Sequence, residues 1–235
     1  VATFVLVHGA WHGAWCFQKL VTALAARGHR SVTGDLPGHG ADPTPPAAVT
    51  LDAYVARVGG WLEAQPEPAF LLGHSMGGVV ITQAAEAYAP RIRALVYLCA
   101  FLPASGQALF SFPVSPLLAA QLRIERETGV SRIDPAGARE VFYQDCADAD
   151  VEAARARLGP QPLQPVRTPV ATGARFASLP RHYVECLRDN AVPLELQRSM
   201  HAALPCRVHT LDAGHSPFYS MPERLADVLD GIARV

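Results

Sequence analysis

Lysine is nearly absent from this chain: Lys19 is the only one, and the other 19 of its 20 basic residues are arginines. Against 21 acidic residues they leave a formal net charge of −1. No excess of one sign exists to draw the chain to nucleic acid or to an anionic membrane surface. With alanine so abundant, the preference for arginine reflects codon usage rather than a binding surface. Also missing are an apolar run long enough to span a bilayer and a basic segment ahead of an apolar one at the start; a soluble protein is expected, with the cytoplasm as its compartment. The five cysteines (Cys16, Cys99, Cys146, Cys186 and Cys206) are odd in number and scattered, with no C-x-x-C pair and no His/Cys metal spacing. That favours buried thiols over disulfides or a metal centre, and neither a metal nor a cofactor is expected.

What the chain does have is alternation. Its 235 residues, half of them hydrophobic, suit one α/β domain, or one domain with an insertion, better than two independent domains. Short apolar runs predict strands at Thr3–Val7, Ser31–Thr33, Ala69–Leu72, Ala94–Cys99, His182–Cys186 and Arg207–Leu211. Between them, helical spacing covers Phe17–Ala26, Leu51–Ala64, Gly77–Ala89, Leu194–Ala203 and Pro222–Ala233. This order predicts a doubly wound, mostly parallel sheet of about six strands, with its reactive loops at the carboxyl ends. The alternation fails over 103–178, a proline-rich stretch with helical patterns at Leu117–Glu127 and Val151–Leu158 and no convincing strand. It reads as a helical cap inserted into a core made of 1–102 and 179–235. The cap and its approach supply Phe101, Leu102, Phe110, Phe112 and Leu118 as candidates to line an apolar pocket.

The chemistry concentrates at Gly73-His-Ser-Met-Gly77, a G-x-S-x-G pattern between an apolar run and a helix of small residues. A serine on a tight strand-to-helix turn needs side-chain-free neighbours so that strand and helix can approach. The helix N-terminus then points amides at the reaction centre. A serine hydroxyl becomes nucleophilic only when a base takes its proton, and that base needs an orienting acid. His215 follows the last strand through Asp212-Ala-Gly214 and precedes the final helix, where a late base belongs. The competitors fall at a helix end (His29), in helices (His201) or in strands (His182, His209). Asp189 lies after a strand between Ser75 and His215, giving the order Ser, acid, His; an Asx-turn or N-cap role is the alternative for it. Asp212 is too near His215 in sequence to orient its ring. The oxyanion donors expected are the backbone amides of Met76, next to the nucleophile, and Ala10, in the glycine-containing loop after the first strand. Asp35-Leu-Pro-Gly-His-Gly40 lacks the spacing of a phosphate-binding loop and reads as a glycine-rich loop packed near the site.

With these residues in place the chain resembles the α/β-hydrolases, and more narrowly the branch of plant methylesterases and hydroxynitrile lyases with their bacterial esterase relatives. The resemblance runs the length of the chain. It rests on Phe4-Val-Leu-Val-His-Gly-Ala-Trp-His-Gly-Ala-Trp15, on Asp35–Gly40, on Gly73-His-Ser-Met-Gly-Gly78, on Asp189-Asn-Ala-Val-Pro193 with Gln197-Arg198, and on Ala213-Gly-His215. Within the branch, the resemblance implies that lyases carry a threonine after the first-strand histidine, a lysine after the catalytic histidine and a glutamate before the nucleophile. This chain has Gly9, Ser216 and His74 instead. These departures favour ester hydrolysis by a serine carboxylesterase, and the resemblance implies small to medium apolar esters, aryl, alkyl or methyl. Carbon–carbon lyase chemistry on the same triad and a low-turnover ligand receptor are the alternatives. Gly9, Trp11, His74 and Ser216 join the pocket candidates. The expected partner is a small-molecule ester, with a homodimer left open.

Overall fold

A computed structural model describes residues 1–234. Strand β1 (Thr3–Val7) leads through a single 3-10 turn to α1 (Gln18–Ala26), and β2 (Arg30–Thr33), α2 (Leu51–Glu63), β3 (Ala69–His74), α3 (Gly77–Tyr88) and β4 (Ile92–Leu98) follow. The inserted segment then holds α4 (Pro116–Gln121), β5 (Leu122–Glu125), β6 (Val130–Ile133), α5 (Ala138–Phe142), α6 (Asp148–Arg155), β7 (Gln161–Pro162), α7 (Leu163–Arg167) and α8 (Ala174–Ser178). The chain returns to the core with β8 (Arg181–Cys186), α9 (Leu194–Ala203), β9 (Arg207–Leu211), α10 (Pro217–Ser220) and α11 (Pro222–Ala233). Among the described residues no helix is long and apolar enough to cross a membrane.

Six strands form one parallel sheet in the order β2-β1-β3-β4-β8-β9. Because side chains alternate along a strand, the apolar runs feed two cores at once. Phe4, Leu6, Phe70, Leu72, Val96 and Leu98 face α1 and α11, while Val5, Val7, Leu71, Leu95 and Tyr97 face α2 and α3. A strand buried on both sides cannot alternate polar with apolar, which is why these segments read as continuous runs. The strand order reverses between β1 and β3, so the loops leaving those two strands diverge and open a crevice at the carboxyl edge of the sheet.

The inserted segment corrects the expectation of an all-helical cap. It contains a three-stranded antiparallel sheet, β5-β6-β7, and the helix expected over Leu117–Glu127 stops at Gln121. Ser115 caps its start by accepting from the Leu118 amide, and Pro116 sits in its first turn. The remainder forms a hairpin that turns at Gly129, whose φ of +70° suits glycine. Its second helical pattern is shifted, running Asp148–Arg155. A cluster around Leu118, Val141, Phe142 and Val151 gives the segment its own apolar centre, whereas Val166, Val170 and Phe176 near its end pack into the main core.

Candidate active site

Ser75 sits between β3 and α3 with a φ of +53°, a left-handed conformation that costs a side-chain-bearing residue energy. Close packing holds it there. A Cβ on Gly73 would fall 2.5 Å from the Gly77 carbonyl oxygen, and one on Gly78 2.0 Å from that of Phe101. The Ser75 amide donates to Leu98 O at 3.3 Å, and its carbonyl accepts from Phe101 and Gly78 at 3.1 and 3.0 Å. The turn is thereby bound to the end of β4. Trp11 and Cys99, the other non-glycine residues with positive φ among those described, also lie just beyond strand ends, so the strain gathers around one crevice.

The two remaining members of the expected triad meet. His215 donates Nδ1–H to Asp189 Oδ2 at 2.7 Å, with both side chains sealed from solvent. The other carboxylate oxygen accepts from the Ala191 and Val192 amides, each at 2.8 Å. Asp189 therefore makes the contacts of both alternatives weighed for it: the Asx turn locks the carboxylate plane, and the second oxygen holds the imidazole. With Nδ1 protonated, the neutral ring has its lone pair on Nε2, the atom that can take a proton. The His215 ring packs 5.6 Å from Phe142, which lines the same cavity as Ser75. Asp212 is turned away and pairs with Arg188.

Ala10 and Met76, in the loops after β1 and β3, flank the crevice at the switch point and line the cavity beside Ser75. Among the described residues neither amide donates to a protein acceptor, a condition that the oxyanion role expected of them requires. Under the site lies a shell of buried histidines. Burial pushes His8 down to about 4 and His12 to about 3, and it holds His39 and His74 well below the ordinary imidazole range. As neutral rings they serve the loops: His8 Nε2 accepts from the Leu36 amide, His12 Nδ1–H donates to Ala10 O, and His74 Nε2–H donates to His215 O at 2.8 Å. The Asp35 carboxylate likewise accepts from Ala14 and Ala41, as a packed loop would.

Ser75 opens into a cavity of about 210 Å³. Of the pocket candidates, Trp11, Phe101, Phe110, Phe112 and Leu118 line it. Gly9, His74, Leu102 and Ser216 do not, and each is a correction. Gly9 backs onto Ser75, since a Cβ there would lie 2.9 Å from Ser75 Cβ and 3.1 Å from His74 Nδ1. The His74 ring is sandwiched between His215 and Phe218, Leu102 packs in the core with its amide on Met200 Sδ, and Ser216 is wholly buried. Wall residues that sequence reasoning missed include Ile124, Ser131, Phe142, Gln161 and Val192. Ile124, Ser131 and Gln161 lie on the unforeseen cap strands.

Residues 4–228 match the family model described as Alpha/beta hydrolase family. The chain belongs to this family. A pyrethroid hydrolase of Sphingobium wenxiniae is 32% identical over 99% of this chain and 88% of its own length. An alpha-hydroxynitrile lyase of Arabidopsis thaliana is also 32% identical, over 98% of this chain and 96% of its own length. Among solved structures, a pyrethroid hydrolase from Sphingobium faniae superposes on this α/β-hydrolase with a TM-score of 0.91, at 31% identity and with 100% and 98% of the two chains covered. Overall identity does not separate hydrolase from lyase, so the distinction falls on individual residues of this α/β-hydrolase.

Proposed function

We propose that the chain is a serine carboxylesterase for apolar esters, and the observation that carries this reading is Ser75 in the wall of an apolar cavity whose Phe142 packs on the imidazole of a locked Asp189–His215 pair. Ser75 Oγ attacks the ester carbonyl as His215 Nε2 takes its proton, and the Ala10 and Met76 amides receive the charge that grows on the carbonyl oxygen. His215 returns the proton to the departing alcohol. Water then enters by the same route and releases the acid, with His215 again the base.

The geometry argues against cyanide elimination. The sole lysine, Lys19, lies on α1 and pairs with Asp150 at 2.6 Å, and among the described residues no charged side chain lines the cavity. A cyanide anion would find no ammonium to receive it. A threonine at position 9 would meet Ser75 Cβ and His74 unless the loop moved. The near absence of polar wall favours esters with bulky apolar groups. At its rim Phe110, Val114 and Ile124 are 48%, 50% and 45% exposed, a lip that a substrate longer than the cavity would cover.

The test is intact-mass labelling with a fluorophosphonate, mapped by peptide, followed by a panel of esters varying in acyl and alcohol size, with mandelonitrile cleavage assayed alongside. One adduct on Ser75 and turnover that favours bulky apolar esters are expected. Labelling elsewhere, or mandelonitrile cleavage faster than any ester, would overturn the reading.

A further inference from the structure

The apolar cavity has one polar corner, made by a cross-strand pair of the small cap sheet. Ser131 on β6 and Gln161 on β7 are register partners, both buried and both in the cavity wall. Gln161 is 1% exposed, and among the described residues its Oε1 has no hydrogen-bond partner. A buried acceptor left unpaired costs stability on the order of a hydrogen bond or more, so a native one at a cavity wall calls for a reason.

Exchange of the amide's oxygen and nitrogen does not remove the problem, because a chain of bonds fixes the orientation. The His12 carbonyl can only accept, so His39 Nδ1, 3.1 Å away, carries the proton. The neutral His39 ring must then accept at Nε2 from the Tyr54 hydroxyl, at 2.8 Å. Tyr54, its one proton spent, can only accept from Gln161, so the NH₂ group faces it at 3.2 Å. The second N–H goes to Pro162 O at 2.8 Å. Turning the amide over would set its oxygen against two acceptors. Burial supports this assignment by keeping His39 uncharged. On the neighbouring strand, Ser131 Oγ already accepts from the Trp11 indole N–H at 3.2 Å, which leaves its own proton to give.

We infer that the Ser131–Gln161 pair is a specificity site, at which a substrate N–H or O–H donates to Gln161 Oε1 while the rest of the ester fills the apolar cavity. The inference rests on the esterase reading and deepens it: the preferred ester is apolar but carries one hydrogen-bond donor away from the ester group. Ser131 Oγ–H adds a donor, so a group that both gives and accepts, such as a phenol or a secondary amide, satisfies both wall residues. Such a corner discriminates strongly, because an analogue without the donor leaves the oxygen unpaired.

The experiment compares phenyl esters carrying a hydroxyl at the ortho, meta or para position with their fluoro analogues, which match them in size. The wild-type kcat/KM ratio of hydroxyl over fluoro at the best position is expected to be about tenfold, falling to about one in Gln161→Leu and Gln161→Met. A ratio taken within one preparation does not depend on how much of it is folded, so a destabilised variant still reports. A wild-type ratio near one at all three positions, or a preference that survives both substitutions, overturns the inference. If no ester is turned over and Ser75 takes no fluorophosphonate label, the esterase reading has failed on its own. Calorimetry with the same pairs on Ser75→Ala then decides the specificity site separately: tighter binding of the hydroxyl compound, lost in the Gln161 variants, upholds it, and equal binding overturns it.

Discussion

The core and the inserted cap meet at one cavity and contribute different things to it. From the core come Ser75, His215, Asp189 and the two loop amides, each fixed by a strand end, a close backbone approach or a buried hydrogen bond. From the cap come Phe110, Phe112, Leu118, Ile124, Ser131 and Gln161, on short pieces that make most of the wall. All nine histidines are outside 103–178. The difference teaches that reaction and selection are separable in this molecule: core substitutions should change whether an ester is cleaved, and cap substitutions which one.

The largest effect is expected at Ser75. Ser75→Ala should lower kcat by about 10⁴-fold or more and abolish labelling, with an unchanged melting temperature, because the side chain faces the cavity. Asp189→Asn should cost about 10³- to 10⁴-fold in kcat for a traceable reason. The asparagine oxygen can still accept from Ala191 and Val192, but its NH₂ then faces His215 Nδ1. The imidazole must shift its proton to Nε2, and the base is lost. Circular dichroism should show the fold retained. A loss below tenfold would mean that Asp189 acts only through the Asx turn.

The buried histidines set the next effect, on stability. His8 falls to about 4 and His12 to about 3 from an ordinary value of 6.5, so between pH 6.5 and 4 the unfolded chain takes up protons that the folded chain refuses. Stability is therefore complete above pH 6.5 and falls as pH drops, by about 1.4 kcal/mol per pH unit for each such histidine. His8 alone accounts for roughly 3 kcal/mol by pH 4, a large share of a typical 5–15 kcal/mol. Denaturant melts at pH 7, 6 and 5 should show a progressive loss; a midpoint that stays constant would show that these rings are protonated in the folded state.

The same division decides what could be read without coordinates. Core strands announce themselves because burial on both faces forces apolar runs, and the site residues follow at fixed offsets from the strand ends. Ser75 needs glycine where the Gly77 and Phe101 carbonyls approach, so its motif is steric necessity written as sequence. The cap obeys no such constraint. Leu122-Arg-Ile-Glu125 continues a helical pattern and becomes a strand only because it pairs with Val130–Ile133 across a hairpin, a choice made by tertiary contact. The misplaced pocket residues fail for a related reason. Gly9, His74 and Ser216 adjoin catalytic positions in sequence, but they lie behind the reacting atoms, where the loops need packing and hydrogen bonds.

The smallest effect is expected at the lip, and it tests the division most directly. Val114 and Ile124 are about half exposed at the cavity rim, so replacing both with serine removes little buried surface and should leave stability within about 0.5 kcal/mol. They matter for turnover only when a substrate covers them. For an ester long enough to do so, covering the exposed half of each side chain is worth about 1 kcal/mol per residue; the double variant should lose up to about 30-fold in kcat/KM on that ester. On phenyl acetate, which lies inside the cavity, kcat/KM should be unchanged. A parallel fall on both esters would show that the lip shapes the reaction itself, and the separation between core chemistry and cap selection would fail at its most exposed point.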